Sequence, residues 1–274
     1  MIARNMRIDF TDAPLLWSKN KTWATMTNAG SPGVTAFEPY LSQVMAWARM
    51  ALDGKAPELE REIDLFIAQE SHHLRVHKQF NRLLYERYPR AREFEKELAN
   101  GLAQQFDSRP LADNLAYCAA FANFACIMAK FMYGRGLRWY RGAENRMATM
   151  WLWHLAEEFE HRAACSDALD AISGNYLVRI RGFFAFIRRI RPWQKRLLAY
   201  MLEVDRAAMT SEERVASIWA RREIERALAR YMIPRMIRTL LPFYDPRGQR
   251  APRVMDHALN HFAQVASQRR RLAA

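Results

Sequence analysis

The stretch Phe66-Ile67-Ala68-Gln69-Glu70-Ser71-His72-His73-Leu74-Arg75-Val76-His77 decides how the rest of the chain is read. Glu70, His73 and His77 are spaced by three and then four residues, so on a helix they project from one face. A carboxylate and an imidazole on one face can hold a divalent cation. A second stretch, Trp153-His154-Leu155-Ala156-Glu157-Glu158-Phe159-Glu160-His161, repeats the Glu-x-x-His spacing in Glu158 and His161. His154 stands four residues before Glu158 and shares its face. A single Glu-x-x-His says little, because both residues are common on exposed helices. Two copies on separate long helices are the core of a ferritin-like two-metal site, in which the other two helices give one Glu each.

Working outward, helical apolar spacing is visible in Leu41, Val44, Met45 and Ala48, and again in Leu65, Phe66 and Leu74. It predicts helices over about 38–53, 57–87, 91–106, 111–141, 144–173, 176–203, 210–241 and 251–271. Asp53-Gly54 and Ser173-Gly174 end two of them, since Gly accepts the left-handed conformation past a helix end. Pro192 kinks or splits the sixth by removing a backbone donor. Thr210 and Glu213 form a capping-box pattern. Alternating strand patterns are scarce. The expected class is all-α: a ferritin-like long-helix bundle with additional C-terminal helices. Residues 1–33 read as an irregular arm, with Ser31-Pro32-Gly33 as a turn, and 34–274 as a single helical metal-binding domain.

Around these motifs the sequence resembles a bacterial family of predicted metal-dependent hydrolases, which is ferritin-like. The resemblance lies in Phe66-Ile67, Gln69-Glu70, His73, His77 and Asn81. It continues in Trp153-His154, Ala156-Glu157-Glu158, Glu160-His161, and then Gly174, Tyr176 and Arg179. The resemblance implies a helical bundle with a metal site, and a Glu matching Glu38 on the first helix. Pro39 would place Glu38 at that helix's start, where a charge next to the helix dipole is the alternative role. On the remaining helix the family shows a Glu-His pair where this chain has Ala122 and Asn123, and no Asp or Glu occurs between Asn114 and Ala143. Either a metal keeps an open position, or one metal binds with His77 or His154 filling in, or catalysis has been lost.

The expected ligands are therefore Glu38, Glu70, His73, His77, His154, Glu158 and His161. They would take iron or manganese, as one ion or two, with zinc also acceptable. Glu157 and Glu160 are plausible acceptors for the far N–H groups of ligating histidines. Gln69 could be a further ligand or part of this outer layer. Glu157 is also the candidate general base if a bound water is activated. His72 points away from His73, and His257 with His261 read as ordinary face residues. The expected function is a non-haem iron or manganese oxidoreductase acting on a small or lipid-like organic substrate. A metal-dependent hydrolase is the alternative. A non-catalytic basic protein that binds membranes or partners is a third reading.

Composition sets the frame. Lys and Arg number 42 against 29 Asp and Glu, a net charge of +13, which favours an anionic partner or simply a solvated basic surface. From Tyr176 to Leu202 basic residues alternate with bulky apolar ones. That pattern suits helix packing, and also peripheral contact of 176–203 with an anionic membrane. Arg269-Arg270-Arg271 reads as a solvated tail. Cys118, Cys126 and Cys165 are odd in number and lack CxxC spacing, which argues against a disulfide framework and for a reducing, cytoplasmic compartment. There is no signal-peptide core and no long charge-free apolar run. No glycine-rich phosphate loop, Gly-x-Ser-x-Gly elbow or nucleic-acid motif is present, so no specific nucleic-acid partner is expected.

Overall fold

A computed structural model describes residues 1–273, with side chains through Ser267; the Arg269-Arg270-Arg271 tail lies outside the described side chains. Among the described residues there are ten α-helices and no strand. They are α1 (Lys21–Asn28), α2 (Ser31–Leu52), α3 (Pro57–Arg87), α4 (Ala91–Ser108), α5 (Leu111–Met132), α6 (Asn145–Glu160), α7 (Ala164–Ile172), α8 (Tyr176–Ala207), α9 (Ser211–Arg238) and α10 (Arg253–Ala273). A 3-10 segment, Arg135–Tyr140, links α5 to α6. The all-α class is as expected.

The bundle that carries the site has four positions, filled by α2, α3, α5 and the α6–α7 pair, which pack on one another. α5 is apolar on every side, as a helix enclosed by others must be. Its neighbours are α2, α6, α7, α8 and α9. It is also long and apolar enough to cross a membrane by length and composition, but most of it is buried inside the bundle. Gly182 sets how closely α8 lies on α5: a Cβ there would stand 2.5 Å from Ala116, which an L side chain cannot do without displacing the helix.

Several boundaries differ from the sequence expectation, each for a physical reason. The segment up to residue 33 is not wholly irregular. It holds α1, capped by the Asn20 side chain, and it buries Met6, Phe10 and Trp17. Ser31-Pro32-Gly33 is the first turn of α2 rather than a turn before it, since Pro is pre-organised for the start of a helix. Pro39 then lies inside α2, and Glu38 sits about two turns in, not at the helix start. Pro192 lies within a continuous α8. The stretch 144–173 is two helices, because α6 ends at Glu160 and the chain turns at His161 before α7 begins.

Candidate metal centre

Glu38 comes from the middle of α2, Glu70 and His73 from α3, and His154 and Glu158 from α6. His161 is the residue that caps α6. All six are buried, with at most 3% of any residue exposed. They form two overlapping donor groups, each with ligand atoms within 4.8 Å of one another: Glu38, His73, His154 and Glu158 in the first, and Glu70, Glu158 and His161 in the second.

The oxygens of two carboxylates are shared out between the halves. Glu158 Oε1 is 3.1 Å from His154 Nε2, and its Oε2 is 3.2 Å from His161 Nε2. Glu70 Oε2 is 3.8 Å from His73 Nδ1, and its Oε1 is 3.5 Å from His161 Nε2. Glu38 Oε1 is 3.8 Å from His73 Nδ1. Both oxygens of Glu38, both of Glu70, and His73 Nδ1 are buried without a hydrogen-bond partner. Buried polar atoms in a folded core are almost always paired. Five orphans converging on one place are what a bound cation would satisfy. The donor set of carboxylates and imidazoles, without thiolate, suits a divalent transition metal.

An outer layer fixes the inner one. His73 Nε2 is 3.0 Å from Glu157 Oε2, so its N–H donates outward and the Nδ1 lone pair faces the centre. His154 Nδ1 is 2.9 Å from His77 Nε2, and His77 Nδ1 is 2.8 Å from the Ser31 hydroxyl. That hydroxyl donates to Asn81 Oδ1, and Asn81 Nδ2 donates to Thr35. The directions run outward from His154, leaving its Nε2 as the inward donor. His77 is therefore a support for His154 and belongs to neither donor group. The rings of His73 and His154 stack with centroids 4.3 Å apart, walled by Trp153 against His73 and Phe66 against His161.

Arg4 is the residue that sequence reasoning missed. Its backbone N–H and its guanidinium both donate to Glu157 Oε1, and the guanidinium also grips both oxygens of Glu160. Among the described residues it is the one buried arginine or lysine. Nothing in the run Met1-Ile2-Ala3-Arg4-Asn5-Met6-Arg7 distinguishes Arg4 from Arg7; only the path of the N-terminal segment across α6 does. Gln69 completes this layer by donating to Glu160 Oε2 and to the carbonyl of Ile2. Both oxygens of Glu157 are thus engaged, Oε1 by Arg4 and Oε2 by His73. Arg4→Ala is expected to release Glu157 and lower cation affinity about 10- to 100-fold, the usual cost of losing an outer-layer partner. Titration calorimetry would measure it.

The electrostatics carry the same message. Burial, then the charge of Glu70, pushes the Glu38 carboxyl well above its ordinary range. Burial, then Glu158, pushes Glu70 up. Burial would raise Glu158 too, but His161 and His154 hold it well below the carboxylate range. Burial, then His73, pushes the His154 imidazole down to about 4, which keeps it neutral as a ligand must be. Five carboxylates, Glu38, Glu70, Glu157, Glu158 and Glu160, lie in the donor groups and the layer outside them, and the Arg4 guanidinium pairs with two of these, Glu157 and Glu160. Fully ionised, that leaves four negative charges, the complement of two dications. Uncompensated charge at this depth is costly.

The side facing α5 is different. Burial raises the Cys118 thiol against the opposing hydrogen bond of Tyr40, with Glu70 adding to the rise; burial pushes the Cys126 thiol up to about 11 against Arg162 and Lys130, with Glu158 contributing. Ala122 lies four residues from each, on the same helical face of α5. That face brings no carboxylate. The second donor group consequently has three members, and His161 Nδ1 is buried without a partner. All three cysteines are free and buried. Of the other histidines, His72 is half-buried on α3, and His257 and His261 are exposed on α10, outside both donor groups.

No curated protein and no solved structure matches this chain. One protein family does, over residues 2–250, a span that holds every donor and Arg4, and on that match the chain belongs to the predicted metal-dependent hydrolases.

Proposed function

We propose that the protein is a non-haem metal enzyme with a two-cation centre, and that it oxidises a small or lipophilic organic substrate. The observation that carries this reading is the pair of buried donor groups sharing Glu158, with orphaned oxygens on Glu38 and Glu70 between them. Glu38, His73, His154 and Glu158 would hold the first cation; Glu70, Glu158 and His161 would hold the second. Bound iron or manganese would supply one-electron redox chemistry toward dioxygen, whereas zinc would only polarise water or a carbonyl. The chain's own part is to hold the donors rigid, keep His154 neutral and exclude water. Trp153 and Phe66 wall the centre with apolar surface. The three-membered group, which has the fewer donors, is where substrate would bind. Complete burial of the donors favours a small or apolar substrate over a polymer.

The family's description favours a second reading, metal-assisted hydrolysis. Loading the protein anaerobically with Fe(II), Mn(II) or Zn(II), then measuring stoichiometry and dioxygen uptake, separates the two. The expected result is two irons per chain, with oxygen consumed on exposure to air. Hydrolysis of model esters by the zinc form, with no oxygen uptake by the iron form, would establish the second reading. No binding of any of the three ions would overturn both.

A further inference from the structure

We propose that the outer face of the α8–α9 hairpin docks on an anionic lipid bilayer. This stands independently of the reaction at the metal centre.

The two helices run antiparallel across α5. Tyr176 and Arg179, at the start of α8, donate to the carbonyls of Leu240 and Leu241, just beyond the end of α9. Between them Phe183 and Ile187 of α8 pack with Met232 and Met236 of α9 over Ile127 of α5. One residue further along each helix the side chain turns by roughly 100°. In an antiparallel pair both turns go the same way, and here that is away from α5. Phe184 and Arg188 of one helix therefore share an outer face with Ile233 and Ile237 of the other.

That face continues along both helices at three- and four-residue steps. On α8 it runs Leu177, Arg181, Phe184, Arg188, Arg191, Lys195, and on α9 it runs Trp219, Arg222, Arg226, Arg230, Ile233, Ile237; every one of these is exposed. The large apolar members are not edge contacts of a core: Phe184, Trp219, Ile233 and Ile237 are each more than half exposed, and Phe243, just past α9, is 82% exposed. No Asp or Glu occurs in 176–202 or in 226–244. Acids do meet the margins. Asp113 pairs with Arg181, Glu97 with the neighbouring Arg196, and Glu223 and Glu225 of α9 pair with Arg138 and Arg221. Glu212 lies at the start of α9. Arg188, Arg191, Lys195, Arg222, Arg226 and Arg230 enter no ion pair among those the structure records.

The chemistry of this face selects its partner. A second copy of the chain would set arginine against arginine with no acid to neutralise them. A nucleic acid would satisfy the arginines, but would leave Phe184, Trp219, Ile233 and Ile237 facing phosphate. An anionic bilayer meets both needs: its headgroups take the guanidinium groups, and its interface takes Trp, Phe and Ile. A lipophilic substrate would be delivered to the same molecule.

The full-length protein should be mixed with phosphatidylcholine vesicles, with and without phosphatidylglycerol, and sedimented at increasing salt. Binding is expected only with phosphatidylglycerol and should weaken as salt rises. Arg188→Glu with Arg230→Glu should lower partitioning at least about 30-fold, each basic residue near an anionic surface being worth roughly fivefold. Phe184→Ser with Ile237→Ser should lower it further, while both variants keep wild-type helicity and cation stoichiometry. Vesicles should shift Trp219 fluorescence to the blue, a change lost in Trp219→Phe. The proposal is overturned by no vesicle binding, by undiminished binding of the charge-reversed variant, or by retention on duplex DNA without retention on vesicles. A dimer abolished by Phe184→Ser with Ile237→Ser would overturn it too.

Discussion

Glu158→Ala is expected to release both cations at once, with each affinity falling by more than about 100-fold, since loss of an outer-layer contact alone typically costs 10- to 100-fold. Glu158 is the one residue common to the two donor groups. Its Oε1 faces His154 and its Oε2 faces His161, so its removal takes a donor from each group. Glu38→Ala should behave differently, because Glu38 belongs to the first group alone. It should weaken one cation and leave the second, giving about one metal per chain. The wild type itself should titrate in two phases. The four-donor group, whose His73 and His154 are both held by outer partners, should fill first. The three-donor group, with nothing on His161 Nδ1 and no carboxylate from α5, should fill later. Elemental analysis and calorimetry on the three proteins decide the matter. Retention by Glu158→Ala of one metal per chain at wild-type affinity would sink the shared-carboxylate geometry.

Those donors were legible in the sequence to very different degrees. Spacing alone identifies Glu70 with His73 and Glu158 with His161, because three residues is nearly one helical turn whatever the helix packs against. The long-helix bundle follows from the same regularity. Glu38 is harder to place. A proline beside it reads locally as a helix start, whereas packing of α2 against α3 and α4 offsets the loss of a backbone hydrogen bond and carries the helix through Pro39. His154 and His77 have the right spacing to be ligands, and only the tertiary fold divides them, turning one inward and making the other its support. Arg4 leaves no signal, because its role depends on a contact with Glu157 153 residues away. The break after His161 is equally silent: the run from 144 to 173 has helical composition throughout, and the turn at 161–163 is imposed by where α7 must lie against α5, α2 and α3.

In the presence of a chelator, Glu70→Gln should melt above the wild type; in the presence of saturating metal, the order should invert. The Glu70 carboxyl is fully buried, both of its oxygens lack a hydrogen-bond partner, and Glu158 lies close enough to push its proton affinity up further. Without a cation the folded chain must hold that charge unpaired or bind a proton to neutralise it. Gln keeps the size and removes the charge, which should stabilise the metal-free protein by about 1–3 kcal/mol, or roughly 2–10 °C for a chain of this size. The wild type gains in turn from metal. A ligand at 100 times its dissociation constant contributes about 2.7 kcal/mol, roughly 5–10 °C, and a variant lacking the Glu70 carboxylate should recover little of it. The crossing of the two melting curves separates a ligand from a structural residue. A Glu that only supports the core would lose stability on amidation under both conditions. A Glu kept in place for a cation destabilises the empty fold and stabilises the filled one. If Glu70→Gln is the weaker protein even with chelator, the carboxylate is satisfied by something other than metal.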